Sequence, residues 1–283
     1  MTVQAEDMHA EVRELERRRR SSNRIFWRLV GYLPPIVLLG LGVLAWQVIA
    51  TIQNVPDYLL PKPSLIWQTT IDERDLLLTN TWPTLRIVVF GFLISLSLGI
   101  VLAIAINYST LLERAVYPIL IASQTIPLIA LAPILVVLLG FSVTPKLIVV
   151  FLICFFPIVV NTVDGFKSVD PDQINLLRTL GAGRWRLFRD VQFPTALPYL
   201  FSGTKVAATF SVIGAVFGEL VGSDEGLAHL MIQKEAQLDT AALFSAMLIL
   251  SLMGIMMFVA VAIAERLLMP WYHTEKKRNA LNR

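Results

Sequence analysis

Few side chains in this sequence are placed to make or break a covalent bond. The three histidines, His9, His229 and His273, fall in tails or loops outside the long apolar runs, so no Ser/His pair or histidine metal cluster is evident. Cys154 is the single cysteine and lies in an apolar run, which excludes an intrachain disulfide framework and a Cys-rich metal site. No G-x-x-x-x-G-K-[ST] phosphate loop occurs, so an ATP-driven process would need its nucleotide site on another chain. The polar groups inside apolar runs read differently. Ser123, Gln124 and Thr125 stand beside Pro127, with Pro133 further on, and Thr209 and Ser211 share a second run. Proline removes a backbone donor and bends a helix, freeing carbonyls that neighbours or a water-lined cavity must satisfy. Such a kinked, polar patch suits the passage of a solute. The plainer alternative is that Gln124 only ties helices together and that the hydroxyls bond back to their own helix carbonyls.

The elements that hold these residues are set by composition. Of 283 residues, 55% are hydrophobic and only 16% charged, and mean hydropathy is +0.66, whereas a water-soluble domain spends about a quarter of its residues on charge. These values describe a polytopic membrane protein. A hydrocarbon core of about 30 Å needs roughly 20 apolar helical residues, and five uncharged runs meet this plainly. A sixth, 199–221, is interrupted by charge and could instead be a buried or re-entrant helix. The distribution of basic residues decides for an all-α protein with six spans, at about 29–52, 86–107, 117–140, 146–165, 199–221 and 241–265. The fifth contains Lys205 and Glu219, expected to snorkel to opposite interfaces. With both termini cytoplasmic, 19 basic residues lie inside, among them Arg17 to Arg20 and Lys276 to Arg278. Five lie outside, Lys62, Arg74, Arg86, Lys146 and Lys234. That asymmetry follows the positive-inside rule.

Residues 1–28 then form an Arg-rich cytoplasmic arm able to touch anionic lipid. Its following apolar run is too long for a signal-peptide core. Residues 29–268 are the membrane domain and 269–283 a cytoplasmic tail. The net charge is only +3, so the basic pI says little about nucleic acid, and no nucleic-acid partner is expected. In the external segment 53–83, Pro61, Pro63 and Ser64 precede an expected short interfacial helix, and Trp67 and Trp82 suit the headgroup belt. In the fifth span Gly203, Ala207, Ser211 and Ala215 recur every fourth residue, with Gly214, Gly218 and Gly222 as a second row. Small residues let helix backbones approach where lipid supplies no drive, so these rows mark either a bundle contact or a dimer seam. Asn161 and Asp164 are expected as caps near the inner end of the fourth span, and Glu219 as either an outer gate or an interfacial charge.

The loop 167–198 is the most informative stretch. Asp170, Pro171 and Asp172 read as a helix start, Leu176, Leu177 and Leu180 as one face, and Gly181 as a left-handed cap. A second short helix from Arg184 carries Trp185, Leu187 and Phe188 and is expected to close at Pro194 and Pro198. A helix–turn–helix with apolar faces must bury them, either on its own membrane helices or on a partner.

Asn175-Leu-Leu-Arg-Thr-Leu-Gly181-Ala-Gly-Arg-Trp-Arg-Leu-Phe188 followed by Phe193-Pro-Thr-Ala-Leu-Pro198 resembles the EAA loop of bacterial ABC importer permeases. The glycine, the spacing and the terminal Leu-Pro match. Asn175, Leu176 and Leu177 replace the family's Glu-Ala-Ala, which removes an ion-pairing glutamate and enlarges the apolar surface. The resemblance extends from about Pro61 to Leu268 and is strongest toward the nitrate, sulfonate and taurine permeases. Within that group, Gln124 to Pro133 and Cys154 to Gly165 are similar to the branch importing riboflavin or the pyrimidine half of thiamine. This likeness implies a permease fold and a second permease copy, in a homodimer. It also implies two cytoplasmic ATPase subunits that carry ATP and Mg, and an extracytoplasmic solute-binding protein. No cofactor is expected on this chain. It further implies that Asn175, Leu176, Leu177, Leu180, Gly181, Trp185 and Phe188 dock the ATPase. A gradient-driven secondary transporter is the rival of another class, but it would place charges at span centres, which here are almost free of them.

Overall fold

In the computed structural model residues 34–272 are described. The expected arm 1–28 and most of the tail 269–283 lie outside them. Helix α1 is Pro34–Ile52, followed by α2, Pro63–Asp72. Of the described residues, those from 34 to 67 belong to a compact unit of their own. Within it, the Gln47 amide donates to Ser64 Oγ at 3.2 Å and its oxygen accepts from Ser64 N at 3.1 Å, capping the first turn of α2 from α1.

The second unit begins at residue 68. It contains α3 (Arg74–Tyr108), α4 (Thr110–Ser123), α5 (Leu128–Leu139), α6 (Val143–Lys167), α7 (Pro171–Thr179), α8 (Arg184–Leu187), a π turn at Phe188–Gln192, α9 (Phe193–Leu220), α10 (Leu227–Ala236) and α11 (Thr240–Leu268). Helix α6 is the central post, with α3 and α9 packed along it. Their approach is set by missing side chains. A Cβ on Gly91 would lie 2.5 Å from Val150 Cγ1, and one on Gly203 would lie 2.5 Å from the Pro157 carbonyl oxygen. Val88, Val150, Cys154, Ile158, Ala207 and Ala208 fill the seam, all fully buried.

Among the described residues, five helices are long and apolar enough to cross a membrane: α1, α3, α6, the run from Arg184 to Leu220, and α11. The expected span 117–140 is not one helix. It breaks into α4 and α5, of 14 and 12 residues, because Pro127, at φ −68° and ψ 98°, is extended and cannot continue the hydrogen-bond ladder. The expected second span starts earlier, at Arg74, so α2 and the first turns of α3 fill most of the segment 53–83 that was expected to be an external loop. The helix beginning at Arg184 does not close at Pro194 and Pro198. It runs through the π turn into α9, with Pro194 in the first turn of α9, where a missing N–H costs least.

Candidate coupling and transport sites

Helix α7 starts as its composition demands. Asp170 Oδ1 accepts from Asp172 N at 2.9 Å, and Pro171 occupies the first turn. It ends at Gly181, whose φ of +80° suits a residue without a Cβ. There Gly181 N donates to Arg178 O and Ala182 N to Leu177 O. Leu176 is 62% exposed, Leu180 73% and Trp185 67%. Asn175 and Gly181 are also exposed, while Leu177 is half-buried. An exposed apolar set of this kind stands on a rigid turn and faces away from its own bundle.

Phe188 is a correction. Instead of joining that face it is buried, at the hub of an aromatic cluster with Tyr108 at 5.3 Å, Phe193 at 5.7 Å, and Phe166 and Trp185 both at 5.8 Å. Phe188 thus locks the turn onto the ends of α3, α6 and α9. Beside it, Asn107 Nδ2 donates to Gln192 Oε1 at 3.2 Å. Tyr117 donates to Asp164 Oδ1 at 2.7 Å, and Lys167 reaches Glu113 at 3.0 Å while lying over the Tyr117 ring. Asp164 therefore joins α6 to α4 rather than capping its own helix. Asn161 bonds back to Pro157 O. Tyr117 and Glu113 were missed from the sequence, since nothing in the local pattern of α4 announces a partner 47 residues away.

The candidate pathway residues do not converge. Ser123 and Thr125 donate to Leu120 O and Ala122 O at the break between α4 and α5, and Gln124 is exposed there. Ser211 is fully buried and donates to Ala208 O. Thr209 instead lines a groove between α9 and α11 of about 480 Å³, with Ser251, Met231, Met247, Leu250 and Phe258. Its walls are apolar except for two hydroxyls, and both of these donate to their own helix. Gly203, Gly214 and Gly218 lie against α6, at Pro157, Val150 and Lys146. Ala207 and Ala215 are fully buried.

The expected snorkelling of Lys205 and Glu219 is overturned for both. Lys205 Nζ donates to Glu265 Oε2 at 2.9 Å across α9 and α11, with side-chain exposures of 25% and 11%. Glu219 is fully buried because it serves the positive end of α10: its Oε2 accepts from Ala228 N at 3.0 Å. Asn80 accepts from Gly226 N at 3.1 Å, and Thr84 accepts from Leu227 N at 2.9 Å. Three N–H groups at one helix start are thus satisfied from α3 and α9. Nearby, buried Lys146 donates to Ser223 Oγ at 2.7 Å. A lone cation in one apolar run and a lone anion near the end of another was the signal that could have found the Lys205–Glu265 pair.

Residues 95–273 match the family described as binding-protein-dependent transport system inner membrane component. The chain belongs to this family. The permease is 40% identical over 240 residues to the formylaminopyrimidine transport permease protein ThiX of Halalkalibacterium halodurans, covering 84% of this chain and 96% of that one. It is 35% identical to the riboflavin transport system permease protein RibX of Chloroflexus aurantiacus, covering 89% and 94%. It is 27% identical to the putative aliphatic sulfonates transport permease protein SsuC of Bacillus subtilis, covering 91% and 92%. It is therefore an ABC importer permease, a multi-pass transport subunit of the bacterial cytoplasmic membrane rather than an enzyme. It belongs to a system that also comprises an ATPase and a binding protein.

Proposed function

We propose that this permease passes a small heteroaromatic solute, of the class named for its formylaminopyrimidine and riboflavin relatives, from a binding protein through a pair of identical permease copies. The carrying observation is 40% identity across 96% of a formylaminopyrimidine permease. The α9/α11 groove supports it. Methionine, phenylalanine and leucine walls suit a planar ring, and among the described residues no basic side chain lines the groove. A sulfonate would call for charge-assisted donors.

On the inner side, α7 is the element on which the ATPase bears, with Leu176, Leu180 and Trp185 as the contact and Gly181 as the cap that keeps them in place. Phe188 passes the push to α3, α6 and α9 as a rigid-body motion. ATP and Mg act on the partner chain. The α4–α5 pair crosses as a broken span, so that six crossings leave both termini in the cytoplasm.

Uptake into proteoliposomes holding the permease, its ATPase and its binding protein tests the reading. ATP-dependent uptake of radiolabelled formylaminopyrimidine or riboflavin, uncompeted by taurine, is expected. Uptake of taurine or an alkanesulfonate alone, or uptake without ATP and partners, would overturn it.

A further inference from the structure

A second cavity, of about 570 Å³, lies behind α7 and differs in kind from the α9/α11 groove. Its walls come from α7 (Gln173), the π turn (Asp190), the start of α9 (Thr195, Tyr199) and the residues just after α11 (Trp271, Tyr272). Three aromatic rings surround it, each partly open to solvent: Trp271 at 52%, Tyr199 at 41% and Tyr272 at 36%. Among the described residues, its lining holds one carboxylate, Asp190, and no basic side chain. Arg186 approaches Asp190 from outside at 3.6 Å, with both side chains largely in water at 75% and 50% exposure. An exposed pair of that length is worth little and is readily displaced.

Aromatic faces carry negative potential and attract cations, the more so beside a carboxylate that supplies net charge. Gln173 and Thr195 add neutral hydrogen-bonding groups at the wall, which suits a ring bearing an amide or amino substituent. We infer that the crevice between α7, the start of α9 and the residues following α11 binds a small planar aromatic cation. The ligand stacks on the exposed rings with its charge toward Asp190, displacing Arg186. The groove at Thr209, which has no charged lining residue, is not a site of this type.

Equilibrium dialysis of the nanodisc-held permease tests this with two probes of one ring: 1-methylnicotinamide, a pyridinium cation, and nicotinamide, its uncharged counterpart. Saturable binding of the cation, about tenfold tighter than that of nicotinamide, is expected from a cation–π contact reinforced by one carboxylate. Asp190→Asn should abolish this preference while leaving nicotinamide binding unchanged. Trp271→Ala should weaken both probes, and Arg186→Gln should tighten the cation, a gain that a merely structural role for Asp190 would not produce. If Trp271→Ala is not monodisperse, Tyr199→Leu gives the same reading. Non-saturable partitioning, equal affinity for the two probes, or cation preference surviving Asp190→Asn would overturn the inference.

Discussion

Lys205 Nζ lies 2.9 Å from Glu265 Oε2, so the charge carried into the apolar run of α9 is met by one on α11. Mutual neutralisation is what allows Glu265 to sit buried and Lys205 largely sheltered, because an unpaired charge in such a setting is costly. Replacing Glu265 by Gln strands the ammonium and should destabilise the permease by roughly 3 kcal/mol. The double variant Lys205→Met with Glu265→Leu should recover most of that loss. Thermal unfolding of the detergent-solubilised protein measures both. Equal damage from single and double variants would show that the pair is not coupled.

The cap at Gly181 makes a sharper prediction because its surroundings are open: among the described residues, nothing beyond its chain neighbours lies within 4 Å of an added Cβ, so the φ of +80° is what resists substitution. Gly181→Val should cost about 1–2 kcal/mol locally and loosen the turn that presents Leu180. ATPase activity should then proceed without uptake. Gly181→Asn, which tolerates the left-handed region, should stay coupled. The readout is the ratio of phosphate released to solute transported.

Lys234 joins α10 to the starts of α3 and α11. Its Nζ donates to Glu73 Oε1 at 2.7 Å and to Asp239 Oδ2 at 3.0 Å. Burial works against its charge, but the two carboxylates outweigh that and hold its pKa above the ordinary 10.5. A pKa raised by folding contributes stability that is fully present below the unfolded value and lost as pH rises through the folded one. Wild-type melting temperature should therefore drop above about pH 10.5, more steeply than in Lys234→Met, which is less stable at neutral pH. Parallel pH profiles for the two proteins would contradict this.

A Cβ on Gly226 would run into the Glu219 carboxylate, and the backbone there has φ +112°, so an alanine meets both a clash and backbone strain. Gly226→Ala should destabilise the permease by about 2–4 kcal/mol and expose the start of α10. Glu219→Gln, which keeps an oxygen to accept from Ala228 N, should cost less. Hydrogen exchange at Leu227 and Ala228 distinguishes the two.

What could be read from the sequence follows from the range of the forces involved. Membrane helices come from runs of one kind of residue, and the start of α7 at Asp170–Pro171 and its end at Gly181 come from neighbours a few positions apart, so both were legible. The break at Pro127 was visible as a kink but not as two separate helices, since the extended backbone there depends on what each half packs against. Phe188 looked like part of an amphipathic docking face. Only the folding back of Tyr108 and Phe166, from two remote helices, onto Phe188 and its near neighbour Phe193 makes it a core residue. Glu219 read as either an outer gate or an interfacial charge, because its partner N–H belongs to a helix that begins only after a turn.

The central claim is that α7 is where the ATPase grips and Phe188 is where the push enters the bundle. The most direct measurement is co-purification of the ATPase with a Leu176→Asp, Leu180→Asp permease. Those side chains are exposed, so the variant should fold, insert and elute as wild type while retaining no ATPase and showing no ATP-driven uptake. Full retention of the ATPase with undiminished uptake would contradict the account.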